Sequence, residues 1–362
     1  MTSVSDRPLV PVTLLTGFLG SGKTTLLNQL VQQQLMSDTL VIINEFGETA
    51  LDHLLVTHSR ENLIQEMSSG CLCCTIRGDL VKTLREISIK YFQDGERRFN
   101  RVLIETTGLA DPAPIIHTLM VDPQVSNRYQ LDGIVTTVDM ATGQQTLDNH
   151  PEAIKQAAVA DCLLLTKADL VSLEDQQALV DRLDVINPAA TRYFVDQGQI
   201  EAEKLLNVGL FSTQGKAVDV ERWLKEEAYH SSSEHGHHRE HSDHDHKHSH
   251  GDMHHQHHHD VNRHDDHIRA FCFSRAEPID EDDLNEWMEL IMLMSGSNIL
   301  RVKGILNIKD REQPMVIHGV QHIFHPPLLL PNWPDGNRHS RFVFITKHIS
   351  QESIEKTFRA LC

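Results

Sequence analysis

Residues 16–25 of the chain read Thr-Gly-Phe-Leu-Gly-Ser-Gly-Lys-Thr-Thr and match the spacing Gly-x-x-x-x-Gly-Lys-Ser/Thr. The apolar run over residues 10–15 predicts a strand before this stretch, and apolar residues at positions 26–31 fall on one face of a predicted helix after it. A strand, a glycine-rich loop and a helix in this order are the context in which such a stretch binds phosphates. The sequence therefore predicts a bound nucleoside triphosphate.

In the predicted phosphate-binding loop, residues 16–25, both the backbone and the side chains are expected to bind the nucleotide. Glycines let backbone N–H groups close around the phosphates, and the N-terminus of the following helix adds its partial positive charge. Lys23 is expected to reach the β- and γ-phosphates, and the Thr24 hydroxyl is expected to take a position on Mg²⁺.

A second apolar strand, predicted at residues 102–104, ends in Glu105-Thr106-Thr107-Gly108. An acidic residue that closes a strand after a phosphate-binding loop can orient a Mg²⁺-bound water, and we predict this role for Glu105. Gly108 is predicted to approach the γ-phosphate with its backbone N–H. A glutamate at a strand end can also simply face solvent, but the preceding loop favours the functional interpretation.

The strand predicted at residues 162–165 is followed by Thr166-Lys167-Ala168-Asp169. Asp169 is placed to accept hydrogen bonds from the N1–H and the exocyclic amine of guanine, a donor pair that adenine lacks. The usual guanine-binding motif has Asn where this chain has Thr166. We therefore predict a preference for guanine, with its strength left open.

The remaining patterns predict an α/β fold. Strands are expected at residues 39–44, 62–67, 134–138 and 192–195, and helices at 77–92, 174–186 and 201–207. This alternation predicts a P-loop NTPase with a mostly parallel sheet covered on both faces. Further strands at 268–273, 299–308, 315–318 and 342–345, with helices at 280–294 and 349–361, predict a small α+β domain.

Between the two predicted domains the composition changes abruptly. Sixteen of the 25 histidines lie between His230 and His267, among Ser, Asp, Glu and Gly. Such a segment cannot bury a core, so the expected organisation is a domain at 1–228, a disordered linker at 229–267 and a domain at 268–362. Neutral imidazoles bind Zn, Co, Ni and Cu, which favours metal capture or buffering over a merely solvated linker. No individual histidine in this linker is predicted to be a ligand.

Three of the six cysteines fall within four positions, Cys71-Leu72-Cys73-Cys74. This clustering favours metal chemistry over a disulfide framework. Zn²⁺ sites that serve structure usually have four ligands, so three thiolates leave one position open, which suits a site that passes its metal on. The fourth ligand is left open among water, a client residue and a carboxylate such as Glu48. The isolated Cys162, in an apolar strand, is predicted to pack in the core.

The charge balance limits the classes of partner. The chain has 33 Lys and Arg against 51 Asp and Glu, a net charge of −18, whereas general nucleic-acid binding requires clustered basic residues. Neither a signal-peptide pattern nor an apolar run of membrane length is present in the sequence, so a cytoplasmic protein is expected, without nucleic-acid or membrane partners. Whether it forms a homo-oligomer is left open.

Taken together, the motifs resemble those of the CobW-type P-loop GTPase metallochaperones, the CobW/HypB/UreG-like GTPases. The matching stretches are Gly-Phe-Leu-Gly-Ser-Gly-Lys-Thr-Thr, Asn44-Glu45-Phe46-Gly47-Glu48, Gly70-Cys71-Leu72-Cys73-Cys74, Glu105-Thr106-Thr107-Gly108 and Thr166-Lys167-Ala168-Asp169. Arg301-Val302-Lys303-Gly304 and His318-Gly319-Val320-Gln321 resemble the C-terminal domain of that family. Thr in place of Asn at the base-recognition motif occurs in some of its members.

The resemblance implies slow GTP hydrolysis coupled to handling of a transition metal, often zinc, for a client metalloprotein. It makes Cys71, Cys73 and Cys74 the metal ligands and implies GTP, Mg²⁺ and Zn²⁺, or Co²⁺ or Ni²⁺ in place of Zn²⁺, as the bound species. The residues that it places on GTP are Gly17, Phe18, Leu19, Gly20, Ser21, Gly22, Lys23, Thr24, Thr25, Gly108, Thr166, Lys167 and Asp169.

The order of these motifs suggests a coupling mechanism. The cysteines lie between a presumed switch at residues 44–49 and the strand that ends at Glu105. We hypothesise that GTP with Mg²⁺ orders this connection and so sets the geometry of the three thiolates. No Gln follows Glu105 at the place where Ras-like enzymes orient water, so slow intrinsic turnover is expected. Candidates for the general base are Glu45, Glu48 and Asp52.

Three alternatives stay open on the sequence alone. An insertion factor for cobalt or another metal shares all the motifs and differs only in metal and client. A passive metal-storage protein with a vestigial loop is disfavoured by the intact Lys23, Thr24 and Glu105, and unchanged function of a Lys23→Ala variant in cells would support it. A small-molecule kinase has no use for clustered thiolates, and phosphate transfer to an acceptor other than water would reveal it.

Overall fold

The computed structural model describes residues 8–44, 64–66, 75–93, 96–206, 208, 268–321, 323–334 and 336–362. Two sheets organise this part of the chain, one of seven strands and one of six. We refer to described residues 8–208 as the N-terminal unit and to described residues 268–362 as the C-terminal unit. The cysteine cluster, Glu48 and the histidine-rich segment 229–267 lie outside the described residues.

The N-terminal unit is a parallel sheet with helices on its faces. Its strands are β1 (Val10–Gly17), β2 (Thr39–Asn44), β3 (Ile64–Glu66), β6 (Arg101–Thr106), β7 (Tyr129–Asp139), β8 (Cys162–Thr166) and β9 (Thr191–Val195), in the order β3-β2-β6-β1-β7-β8-β9. The short strands β4 (Phe92–Gln93) and β5 (Glu96–Arg97) pair with each other. The helices are α1 (Lys23–Leu30), α2 (Thr75–Lys90), α3 (Ala113–Val121), α4 (Pro123–Ser126), α5 (Gly143–Asn149), α6 (Pro151–Val159) and α7 (Leu173–Ile186).

The sheet is buried on both faces, which explains the near-continuous apolar runs of its strands. Leu14 of β1 packs into one core cluster, and its neighbour Leu15 packs into another on the opposite face. Strand β1 lies between β6 and β7, and its own crossover leads to β2 on the far side of β6. The order of the strands therefore reverses beside β1, and in open parallel sheets ligands bind at the carboxyl ends of the strands beside such a reversal.

The C-terminal unit is an antiparallel sheet with two helices. Its strands are β10 (Ile268–Arg275), β11 (Ile299–Leu306), β12 (Met315–Val320), β13 (Ile323–Phe324), β14 (Leu328–Leu329) and β15 (Ser340–Lys347), in the order β10-β15-β11-β12-β13 with β14 on β12. The helices α8 (Glu281–Ser295) and α9 (Gln351–Leu361) cover one face, where Trp287 and Phe358 pack on Phe342. The strands alternate, so that the other face of the sheet presents residues such as Leu300 and Ile345 to the core of the N-terminal unit.

A buried ion cluster joins the two units. Arg301 of β11 donates hydrogen bonds to the carbonyl oxygens of Val159 (2.7 Å) and Ala160 at the end of α6 and to the carboxylate of Asp161. The Lys303 ammonium lies 3.0 Å from the same carboxylate. Burial by itself would raise the pKa of Asp161, but the two cations hold that pKa below its usual value. The Arg-Val-Lys-Gly stretch of the sequence is therefore part of an interface.

The structure confirms the predicted fold class, and several of its elements differ from the predicted ones. The helix expected at 201–207 is wrong: Ala202–Lys204 form one 3₁₀ turn, because burial of Ala202, Leu205 and Leu206 requires only a single turn and a short isolated helix is marginal. Helices α3, α4, α5 and α6 were not expected; α3 is buried around most of its circumference and shows little amphipathic periodicity, and α4 and α5 are short. Among the described residues, no helix is long and apolar enough to cross a membrane.

Candidate functional site

The predicted phosphate-binding loop leaves the carboxyl end of β1 and leads into α1. Gly17 has φ 140°, and a Cβ atom there would lie 2.1 Å from Oγ1 of Thr137 and 2.6 Å from the carbonyl oxygen of Thr137 on β7. A glycine is therefore required where the loop passes this strand. Gly22 directly precedes α1 as its N-cap, so the loop brings the positive end of the helix to the site.

Lys23 is the first residue of α1, and its side chain is only 6% exposed. Its ammonium folds back over the loop and donates hydrogen bonds to the carbonyl oxygens of Gly17 (2.9 Å) and Phe18 (3.2 Å). The charge thus lies inside the concave loop at the helix N-terminus, where an anion is doubly favoured. Thr24 follows it and is half-buried, as the predicted Mg²⁺ position requires.

Three contacts that the sequence analysis missed hold this loop in place. The Ser21 hydroxyl lies 2.6 Å from the hydroxyl of Thr137 and donates to the Phe18 carbonyl oxygen at 2.7 Å. The Phe18 ring stacks on His150, with 4.4 Å between the ring centroids. His150 immediately precedes α6, so the loop is supported by β7 and by the start of this helix. Neither Thr137 nor His150 belongs to a recognisable motif, and no signal in the sequence would have identified them.

Glu105 lies on β6, one strand away from the loop. It is 2% exposed and pairs with Leu15 of β1 in the register of the parallel sheet. The next residue, Thr106, donates a hydrogen bond of 2.9 Å to the Thr16 hydroxyl, which ties β6 to the start of the loop. The structure therefore brings the predicted carboxylate to the same edge of the sheet as Lys23.

The segment after β6, residues 107–111, packs directly on the phosphate-binding loop. A Cβ atom at Gly108 would lie 2.6 Å from the backbone nitrogen of Leu19, so only glycine permits this approach. The buried side chain of Gln156, on α6, donates hydrogen bonds to the carbonyl oxygens of Gly108 (3.2 Å) and Ala110 (3.0 Å). We call residues 107–111 the γ-loop, since Gly108 is the residue predicted to face the γ-phosphate. Sequence reasoning found Gly108 but missed Gln156.

The predicted base-recognition motif is fastened to the phosphate-binding loop. The Thr166 hydroxyl donates to the Ser21 carbonyl oxygen at 2.9 Å, and the Lys167 ammonium donates to the Gly20 carbonyl oxygen at 2.8 Å. Lys167 also pairs with Asp139 at the end of β7, at 2.6 Å. Asp169 lies on the following 3₁₀ turn with its side chain exposed, as a residue that reads a base edge must be.

The predicted metal ligands Cys71, Cys73, Cys74 and Glu48 lie outside the described residues. Helix α2 begins at Thr75, immediately after Cys74. Within the described ranges, no group of three or more His, Cys, Asp and Glu side chains is arranged to hold a metal ion. Cys162 is fully buried in β8, in agreement with its predicted place in the core.

Comparison with known proteins agrees with this geometry. Residues 11–194 match the family model described as CobW/HypB/UreG, nucleotide-binding domain, and residues 268–362 match the cobalamin synthesis protein cobW C-terminal domain. The zinc chaperone YjiA of Escherichia coli (strain K12) is 30% identical over 352 residues, which cover 97% of this chain and 98% of that protein. The zinc chaperone CobW of Pseudomonas aeruginosa is 33% identical over 209 residues, 55% of this chain and 52% of that protein.

The structural comparison extends over the whole chain. The crystal structure of Zn(II)-bound YjiA GTPase from E. coli matches with a TM-score of 0.66 and 27% identity, covering 98% of this chain and 100% of that one. The likeness therefore includes both units as well as the individual motifs. Its sequence matches and its fold show that the chain belongs to the CobW/HypB/UreG family.

Proposed function

We propose that the protein is a GTP-hydrolysing metallochaperone that binds a transition metal, with zinc favoured, through Cys71, Cys73 and Cys74. It transfers this metal to a client protein under the control of GTP. The observation that carries the nucleotide half of the proposal is the attachment of the base-recognition motif to the phosphate-binding loop, through Thr166 to Ser21 and Lys167 to Gly20. Zinc is favoured because YjiA of E. coli, which matches almost the whole chain, is named a zinc chaperone and its crystal structure is Zn(II)-bound.

The residues present fit a nucleotide with Mg²⁺. The half-buried Thr24 hydroxyl and the buried Glu105 carboxylate belong to the same edge of the sheet, and hard oxygen donors are what Mg²⁺ selects. When bound, Mg²⁺ neutralises charge that develops on the phosphates. The Lys23 ammonium stabilises the negative charge of the phosphates from inside the loop. The backbone of Gly108 lies close enough to the loop to reach a γ-phosphate. Asp169 selects guanine by accepting its two donors.

The proposed control of metal by nucleotide follows from the order of elements along the chain. Strand β3 ends at Glu66, and α2 begins at Thr75, so the segment that carries the three cysteines connects two elements of the nucleotide-binding unit. Moving a two-state segment from 1:99 to 99:1 requires about 5.5 kcal/mol. Hydrogen bonds to a charged phosphate contribute roughly 1.5–3 kcal/mol each, so that two to four new contacts are sufficient.

We expect intrinsic hydrolysis to be slow. The γ-loop supplies backbone groups next to the phosphates, but it has no glutamine at the position that orients water in Ras-like enzymes. Unassisted GTPases of that kind turn over at about 10⁻⁴ to 10⁻² per second. A steady rate well above about 1 per second for the protein alone would contradict this part of the proposal.

The experiment that tests the proposal measures Zn²⁺ affinity of the full chain with GDP and with a non-hydrolysable GTP analogue. We expect the two affinities to differ, and we expect replacement of Cys71, Cys73 and Cys74 by Ser to abolish both the tight binding and the difference. Cys362→Ser is the matched control, since Cys362 lies at the end of α9 in the other unit. Residues 229–267 are deleted in parallel, because their histidines bind metal independently.

Equal Zn²⁺ affinities in the two nucleotide states would end the coupling model, because a ligand without differential affinity shifts no equilibrium. Repeating the titration with Co²⁺ and Ni²⁺ identifies the favoured metal. A preference for Co²⁺ that survives deletion of residues 229–267 would support the cobalt-insertion alternative in place of zinc delivery.

A further inference from the structure

A side chain of the C-terminal unit contacts the γ-loop. The Gln321 amide, in the turn between β12 and β13, donates to the two carboxylate oxygens of Asp111 at 3.3 and 3.2 Å. The same carboxylate pairs with Lys155 of α6 at 2.7 Å and accepts a hydrogen bond from the Ala113 backbone at the start of α3. Asp111 is therefore the point at which the γ-loop, α6 and the C-terminal unit meet.

The strand ends next to Gln321 are packed in a core, and its backbone is hydrogen-bonded. Val320 and Ile323 are buried in the same core cluster as Ile116 of α3, inside the N-terminal unit. The Gln321 backbone N–H also donates to the Leu300 carbonyl oxygen at 3.3 Å. The amide thus projects from a fixed position toward Asp111.

The backbone of Gln321 is strained. Its φ is 52°, in the left-handed region that favours glycine and costs a side chain such as glutamine free energy. Val320 pairs with Ile323, and a two-residue turn between antiparallel strands requires a positive φ, so the inference rests on the contact of the Gln321 side chain with Asp111.

We propose that Gln321 is a positioning residue for GTP hydrolysis. It holds the γ-loop against the phosphate-binding loop from the C-terminal unit, together with Gln156 and Lys155 from α6. Gly108 is three residues from Asp111, so a shift of the Asp111 carboxylate moves the backbone that faces the γ-phosphate. This inference rests on the proposed GTPase function and adds that the C-terminal unit sets the hydrolysis rate.

The coupling acts in both directions. If the contact between Gln321 and Asp111 favours the γ-loop position that binds GTP, then GTP must strengthen that contact by the same factor. The C-terminal unit is consequently expected to respond to the nucleotide at this contact.

Steady-state GTP hydrolysis by the full chain tests the proposal with two variants. Gln321→Glu keeps the length of the side chain but places a second carboxylate beside Asp111, whereas Gln321→Gly removes the amide and relieves the backbone strain. We expect kcat to fall by about 2- to 30-fold in both variants, the usual range for a coupling residue that touches no ligand. The affinity for GDP and the melting temperature of Gln321→Gly are expected to stay close to those of the parent.

Asp310→Gly is the matched control. Asp310 has φ 61° and lies exposed in the turn between β11 and β12, at the opposite end of β12 from Gln321. The substitution Asp310→Gly relieves the same kind of backbone strain far from the γ-loop, so kcat is expected to be unchanged. A loss of kcat in Asp310→Gly equal to that in Gln321→Gly would overturn the proposal.

A swap of donor and acceptor gives a positive test. Gln321→Glu combined with Asp111→Asn restores an amide–carboxylate pair and leaves a single carboxylate beside Lys155, so kcat is expected to recover most of its loss. Unchanged kcat in both Gln321 variants, with a parent that hydrolyses GTP, would overturn the inference alone. Absence of GTP hydrolysis by the parent would instead overturn the proposed function.

Discussion

The Thr166 hydroxyl donates a hydrogen bond to the carbonyl oxygen of Ser21, 2.9 Å away. Ser21 belongs to the predicted phosphate-binding loop, and Thr166 begins the predicted base-recognition motif, so this bond fixes the proposed pocket for the base relative to that for the phosphates. The Lys167 ammonium adds a second bond, to the Gly20 carbonyl oxygen. A threonine in place of the usual asparagine therefore still fastens the motif to the loop. In the proposed function, Asp169 then recognises the base.

Thr166→Val tests this fastening. The substitution keeps the shape of the buried side chain and removes the donor, so the Ser21 carbonyl oxygen loses a bond at a cost of about 1–3 kcal/mol. We expect both GTP and GDP to bind about 5-fold or more weakly, since about 1.4 kcal/mol corresponds to a factor of ten. Isothermal titration with each nucleotide measures this effect. Thr166→Ser, which keeps the hydroxyl, should bind like the parent, and parental affinity in Thr166→Val would contradict the fastening role.

Asp169→Asn tests the choice of base. A carboxylate accepts from both guanine donors, whereas an amide offers one donor and one acceptor, which suits xanthine with its oxygen at C2. We expect the variant to lose GTP binding and to gain binding of xanthosine triphosphate, as measured by competition with a fluorescent nucleotide. Asp175→Asn, on the exposed first turn of α7, is the control and should keep the parental preference. Unchanged preference in Asp169→Asn would remove this residue from the base site.

Arg301→Ala tests the ion cluster between the units. The substitution leaves the Asp161 carboxylate buried with Lys303 as its remaining cation and removes the donors to the Val159 and Ala160 carbonyl oxygens. Breaking a buried pair by removing one partner costs about 3–5 kcal/mol, and we expect a loss of that size in the free energy of unfolding by urea. Arg311→Ala removes a half-exposed pair with Glu281 and should cost less than about 1 kcal/mol. Equal losses in the two variants would contradict a special role for the interface.

Two buried histidines predict that the protein loses stability in mild acid. His318 and His325 stack with 4.8 Å between their ring centroids, near Arg301, Lys303 and Asp161. Burial, together with the neighbouring cations, holds the pKa of His318 well below its usual value and lowers the pKa of His325 to about 3, against the attraction of Asp161.

The sign of the effect follows from these directions. Below the ordinary histidine pKa of about 6.5, each histidine binds a proton in the unfolded chain but not in the folded protein. The free energy of unfolding therefore decreases as the pH decreases, until the pKa of the folded histidine is reached. Between pH 7.5 and 5.5 we expect a loss of about 1.4 kcal/mol for each histidine, measured as the free energy of unfolding by urea. His325→Gln should show about half the loss of the parent, while the exposed His339→Gln should show all of it. If the free energy of unfolding of His325→Gln decreased with pH as much as that of the parent, this account would be contradicted.

Much of the nucleotide site could be predicted from the sequence because its chemistry is local. A phosphate-binding loop requires glycines, a lysine and a hydroxyl at fixed spacing, and these follow one another along ten residues. The carboxyl ends of parallel strands meet at one edge, so the sequence alone predicts Glu105 and Thr166 at the same site. The three-cysteine metal site, its fourth ligand and the domain boundaries at 228 and 268 stay predictions.

The sequence by itself determined the class of fold and predicted the loop for the triphosphate, since hydrophobic periodicity and motif spacing express interactions between near neighbours in the chain. Only the tertiary structure decided which side chains hold the phosphate-binding loop and the γ-loop. Thr137 contacts Ser21, Gln156 of α6 donates to the γ-loop, and Gln321 contacts Asp111, which is 210 residues away in sequence. These are ordinary polar side chains outside any motif. Their roles arise from the packing of distant elements, and spacing along the chain does not record which distant surfaces pack together.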